Sequence, residues 1–155
     1  MSVKTIISSQ YREKVNQASA QLQGMALPPE GWLCTVRNAL GMSAAALARR
    51  LGKTRALVSN TEKAELEGGV TLKAMQSMAE AMNCRFVYAI VPNGNIDAIL
   101  KSRAYEKARK LVEAGSKHMA LEQQSLSQQQ IAFEIERLAA DMLKNPPADF
   151  WNDEA

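Results

Sequence analysis

The segment Gly41–Lys63, GMSAAALARRLGKTRALVSNTEK, constrains the fold more than any other part of the chain. Ser43 and Thr54 each precede a run of good helix formers, where a side-chain oxygen accepts a first-turn backbone N–H. Gly52 stands between the runs, and glycine takes the left-handed conformation that ends a helix without a Cβ penalty. Leu47, Ala48 and Leu51 recur at one-turn spacing in the first run, as do Leu57, Val58 and Thr61 in the second. Each helix therefore has an inward stripe. Alanine and leucine at this spacing occur in many helix pairs; caps, glycine and stripe in one register mark a helix-turn-helix.

Charge is distributed to match. The 155-residue chain carries only +3 overall. Between Thr35 and Glu65, however, Arg37, Arg49, Arg50, Lys53, Arg55 and Lys63 face only Glu62 and Glu65, a net +4. From Ala120 to the end, Arg137 and Lys144 face seven acids, a net −5. The front half suits a phosphate backbone and the tail does not. Cys34 and Cys84 stand singly, without a CxxC or a neighbouring histidine, so reduced thiols and no metal site are expected. His118 has no acid or nucleophile partner in sequence, and there is no glycine-rich phosphate loop or paired nucleophile. This composition argues against an enzyme and against a cofactor. No stretch reads as a signal peptide or a membrane span, which predicts a cytoplasmic protein.

Elsewhere the pattern predicts a mainly α chain: a helical DNA-binding domain, one β-strand and a helical C-terminal extension. Val3–Ile7 alternates as a short strand, and Ser8 or Ser9 starts a polar helix to about Gln23. Pro28 and Pro29 introduce a helix from about Gly31 to Leu40, with Trp32, Leu33, Val36 and Leu40 inward. Thr71 caps a helix whose Leu72, Met75, Met78, Ala79 and Met82 share one side, methionine serving as core filler. Cys84–Val91, CRFVYAIV, is β-branched and aromatic and predicts a strand, with Val3–Ile7 or the same segment of a second subunit as its partner. A helix follows from Asp97 to about Gly115, with Ile96, Ile99, Leu100, Leu111 and Val112 apolar, then a junction over Lys117–Glu122. The last helix, about Ser127 to Leu143, places Ile131, Ile135, Leu138 and Met142 on a heptad-like stripe. Phe150 and Trp151 near the end of the chain suggest docking, on this chain's own core or on a partner. The predicted organisation is an N-terminal strand and helix over 1–27 and a DNA-binding domain over 28–83. A strand at 84–92, suited to dimerisation, and a partner-binding helical region over 93–155 complete it.

LGMSAAALARRLGKTRALVSNTEK resembles the DNA-binding core of the Cro/cI-type, lambda-repressor-like (Xre) regulators, through Leu40, Ser43, Leu47, Ala48, Gly52, Thr54, Val58, Ser59 and Glu62. The resemblance covers roughly residues 32–82. It implies that the second helix enters the major groove. Arg55, Ala56, Ser59 and Asn60 are then the base-contacting positions. Arg37, Ser43, Lys53, Thr54 and Lys63 are the implied phosphate contacts. Arg55 is the strongest base reader, because its fork can donate twice to guanine O6 and N7. The chain departs from the pattern at Ala44, where glutamine is usual, and at Thr61, where a large apolar residue is usual. Two symmetric reading heads demand a homodimer on double-stranded DNA with a palindromic operator, half-sites about 34–36 Å apart.

PPEGWLCTVRNALGMS, GGVTLKAMQSMAEAMNCRFVYAIVP and HMALEQQ resemble the bacterial mobile mystery protein A family, over most of Pro28 to about Gln124. That resemblance implies an antitoxin and autorepressor of a toxin–antitoxin pair whose toxin is a Fic-domain protein. The Fic-inhibitory pattern Ser/Thr-x-x-x-Glu-Gly/Asn is not found: Thr61 to Glu65 is followed by Leu66. Neutralisation would then run through the C-terminal half. The alternative is a toxin-binding inhibitor whose helix-turn-helix does not bind DNA.

Overall fold

The structure is a computed structural model that describes residues 2–121 and 126–153. Among these residues seven helices are present: α1 (Val3–Leu22), α2 (Trp32–Ala39), α3 (Ala44–Leu51), α4 (Arg55–Glu67), α5 (Leu72–Ala81), α6 (Ile96–Leu121) and α7 (Gln128–Lys144). They fall into two compact units. One is Leu22–Ala89; the other comprises the described residues of Met1–Gln21 and Ile90–Ala155.

In the first unit α2–α5 enclose a core of Leu33, Leu47, Ala48, Val58, Met75, Met78 and Met82, with Phe86 packed against it. The expected methionine filler is therefore core, and small Ala48 lets α3 and α4 approach closely. Two expected core positions of α2 are exposed instead: Trp32 is 40% exposed and Leu40 more so. Eight residues make only about two turns, so a single stripe, Leu33 and Val36, is all that α2 can bury.

In the second unit α6 and α7 form an antiparallel hairpin. Ala104 and Ala108 lie fully buried against Ile135, Ala139 and Met142, flanked by Leu100, Val112, Ile131 and Leu138. The expected stripe on α7 is present, but the seam of α6 is alanine, and Leu111 is exposed. Large residues on α6 would hold the helices apart. The helix also continues through Gly115 to Leu121, so the expected junction is helical; its Glu122 lies outside the described residues. Ser127 and Gln130 form a capping box at the start of α7. Phe150, 3% exposed, plugs the open side of the hairpin, whereas Trp151 is 59% exposed and covers the Arg103 guanidinium at 5.7 Å. Arg103 Nε donates to the Phe150 carbonyl at 2.7 Å, and Lys107 Nζ donates to that of Asp149 at 2.5 Å. The aromatic pair thus docks on the chain's own core through Phe150.

Two expected strands are not strands. Val3–Ile7 is the first turn of α1: the Ser2 hydroxyl accepts the Thr5 N–H at 3.2 Å, and this start outweighs the β-preference of a short apolar run. Farther along, Asn16 Oδ1 accepts the Ile96 N–H at 3.0 Å, while Asn95 Oδ1 accepts that of Ala98 at 2.7 Å, so both cap α6. Cys84–Val91 forms no strand among the described residues, and Val3–Ile7, one of its two expected partners, is helical. Asn83, at φ 58°, follows the end of α5 and turns the chain out of the helix.

Phe150→Ala should remove about 3–5 kcal/mol from the α6–α7 hairpin. Native-state hydrogen exchange should then show protection lost in α6 and α7 and retained in α3 and α4.

Candidate nucleic-acid interface

The turn between α3 and α4 forms as its residues dictate. The Ser43 hydroxyl accepts the Ala46 N–H at 3.0 Å, and the Thr54 hydroxyl accepts that of Leu57 at 3.1 Å. Gly52 takes φ 66°, the left-handed conformation, and the Lys53 N–H returns to the Ala48 carbonyl at 2.9 Å. Each capping hydroxyl accepts and so keeps its own O–H free to donate to a phosphate oxygen. The first-turn N–H groups of Arg55 and Ala56 have no partner within the helix and add to that capacity.

Which face α4 presents follows from Val58, fully buried in the core that α2–α5 enclose. At 100° per residue, Ala56, Asn60 and Lys63 lie on the opposite side, with Arg55 and Ser59 on one flank and Leu57 on the other. All six are exposed. The four expected base positions and Lys63 therefore share one outward surface, with Lys53 and Thr54 exposed at its N-terminal end. Lys53, Arg55 and Lys63 form no ion pair among the described residues. Leu57, expected inward, stands instead at the edge of this surface.

Arg37 is placed differently. Its Nε donates to Glu62 Oε1 at 2.6 Å, and its Nη1 to the Met42 carbonyl at 3.0 Å, with both side chains largely covered. The hydrogen bond to Glu62 raises the Arg37 pKa above its ordinary range, with desolvation opposing. Its guanidinium thus braces α2 on α4 rather than standing out with the other bases.

Sequence reasoning missed a second brace. Glu65 accepts the Trp32 N–H at 2.7 Å and the Leu33 N–H at 2.9 Å, taking the capping role at α2 where Gly31 has no side chain. Gly31 is at φ 85°, and a Cβ there would lie 2.9 Å from Glu65 Oε1, so glycine is required on both counts. A helical wheel carries the signal: Glu62 and Glu65 fall on the Val58 side of α4, where carboxylates need donors. Both acids are thus consumed internally, and the outward field of this segment is more basic than its net charge indicates.

The two departures are also accommodated. Ala44 packs against the core in place of a polar side chain. Thr61 donates its hydroxyl to the Leu57 carbonyl at 2.7 Å, so the half-buried oxygen is satisfied within the helix.

Residues 35–88 match the family model described as helix-turn-helix, and this segment has the Xre/lambda-repressor-like arrangement that supports a DNA-binding transcription regulator. Neither the curated proteins nor the solved structures yield a match to the chain. No helix among the described residues is long and apolar enough to cross a membrane, and no group of potential metal ligands is found there.

Glu62→Gln should cost the unit about 1–3 kcal/mol, because it weakens the charge-assisted bonds that satisfy Arg37. Chemical denaturation read by the fluorescence of Trp32, in a Trp151→Phe background, measures this.

Proposed function

We propose that the protein is a sequence-specific transcriptional repressor that docks α4 in the major groove and acts as a homodimer on a palindromic operator. The observation that carries this reading is the outward surface of α4, where Arg55, Ala56, Ser59 and Asn60 face away from a core that pins Val58, Glu62 and Glu65 inward. Arg55 supplies a bidentate donor for guanine, and Asn60 has the amide that pairs with adenine N6 and N7. Ala56 leaves room for a thymine methyl. Lys53, Thr54, Ser43 and Lys63 supply the phosphate contacts that set register. Arg37, committed to Glu62, contributes to position rather than to contact.

The antitoxin role, with a Fic-domain toxin as partner, rests on the resemblance of the segments between Pro28 and Gln124. A helical unit folded around its own core gives such a partner a surface separate from α4. If both activities are present, Arg55→Ala should abolish operator binding and leave neutralisation of the co-expressed toxin intact.

The direct test is binding to a duplex from the protein's own upstream region and to a scrambled duplex, across a salt series. Arg55→Ala should lose about 1–3 kcal/mol of discrimination, and Lys63→Ala should weaken both duplexes alike and reduce the salt slope by about one. Equal binding to both duplexes by the unmutated protein, unchanged by Arg55→Ala, would contradict the proposal.

A further inference from the structure

The chain holds eight asparagines, and one of them, Asn93, stands directly before a glycine. The side-chain carbonyl of an asparagine can be attacked by the backbone nitrogen of the residue that follows. That nitrogen must be free of a hydrogen bond, the side chain free to turn toward it, and the following residue too small to crowd the ring. Asn16, Asn38 and Asn60 lie inside α1, α2 and α4, where the next N–H belongs to the helical ladder. After Asn83 the Cys84 N–H donates to the Ala79 carbonyl at 2.8 Å. After Asn95 the Ile96 N–H donates to Asn16 Oδ1 at 3.0 Å, and Asn95 Oδ1 accepts the Ala98 N–H. Asn145 precedes Pro146, whose nitrogen carries no hydrogen. Asn152 is pinned by Arg103, which donates to its carbonyl at 2.8 Å and to the following Asp153 at 2.9 Å.

Asn93 is under none of these restraints. Both Asn93 and Gly94 are exposed, and no hydrogen bond among the described residues reaches either. A Cβ on Gly94 would meet nothing within 4 Å, so the space around it is open. Gly94 sits at φ 91°, which glycine adopts without strain.

We infer that Asn93 is a site of spontaneous covalent modification, deamidating in the folded protein through attack by its neighbour Gly94. The Gly94 nitrogen, on losing its proton to hydroxide, bonds to Asn93 Cγ; the Cγ–Nδ2 bond breaks and ammonia leaves. Water then opens the resulting five-membered imide at one of its two carbonyls. Opening at Cγ leaves aspartate in a normal chain. Opening at the main-chain carbonyl leaves isoaspartate, with the backbone running through Cβ. Both products place a carboxylate two residues before the Asn95 cap of α6, where the helix dipole favours negative charge, so the fold tolerates them. Isoaspartate also adds one backbone atom between Phe86, packed on the first core, and α6. The inference is independent of the reading of α4.

Incubation of the folded full chain at neutral and mildly alkaline pH, followed by tryptic peptide mass spectrometry, tests this. The peptide Phe86–Lys101 holds Asn93 and Asn95, and its fragment ions assign the change to one of them. Deamidation should be at least about ten-fold faster at Asn93 than at Asn95, where the attacking nitrogen must first give up its hydrogen bond. It should yield isoaspartate as well as aspartate, rise with pH, and disappear in Asn93→Gln, whose longer side chain closes a six-membered ring far more slowly. In denaturant Asn95 and Asn152 should speed up while Asn93 keeps its rate. Circular dichroism of Asn93→Asp should match that of the unmutated protein. An Asn93 no faster than Asn152 in the folded chain, or one that denaturant accelerates as much as Asn95, would overturn the inference.

Discussion

The carboxylate of Glu65 sits at the N-terminus of α2 and accepts two backbone N–H groups that no residue of that helix can satisfy. One turn earlier on α4, Glu62 holds Arg37 from the far end of α2. Helix α4 is thus tied to α2 at two points, and Val58 anchors it about one turn before them. A helix fixed at three inward positions has no rotational freedom left, so its outward residues are determined. The same contacts take up two negative charges that would otherwise offset the bases on the outward side of α4. Structure and electrostatics are solved by the same pair of carboxylates.

Much of this was legible in the chain. The caps Ser43, Thr54 and Thr71, the break at Gly52, the methionine core and the stripe of α7 follow from local chemistry, because each depends on residues within one or two turns. The outward positions of α4 followed for the same reason: once Val58 is inward, α4 has only one other side. The helix-turn-helix match over residues 35–88 agrees with the pair of capped helices.

What stayed hidden depends on partners distant in sequence. The Glu65 cap spans more than thirty residues, and Arg37 looks like a phosphate contact until its neighbour is known. The alanine seam of α6 was passed over because leucine and isoleucine carry the stronger pattern, although close helix packing favours the smaller residue. Val3–Ile7 and Cys84–Val91 are short apolar runs whose β-preference is real. A cap at Ser2 decided the first, and with that segment helical the second has no strand partner among the described residues.

The most direct test of the central claim is amide chemical-shift mapping of the full chain on addition of the upstream duplex. The account predicts the largest shifts over Thr54–Lys63, with smaller ones at Ser43, and little change over Ala104–Ala108 or Ile135–Met142. Shifts concentrated in α6 and α7, with α4 unmoved, would contradict it.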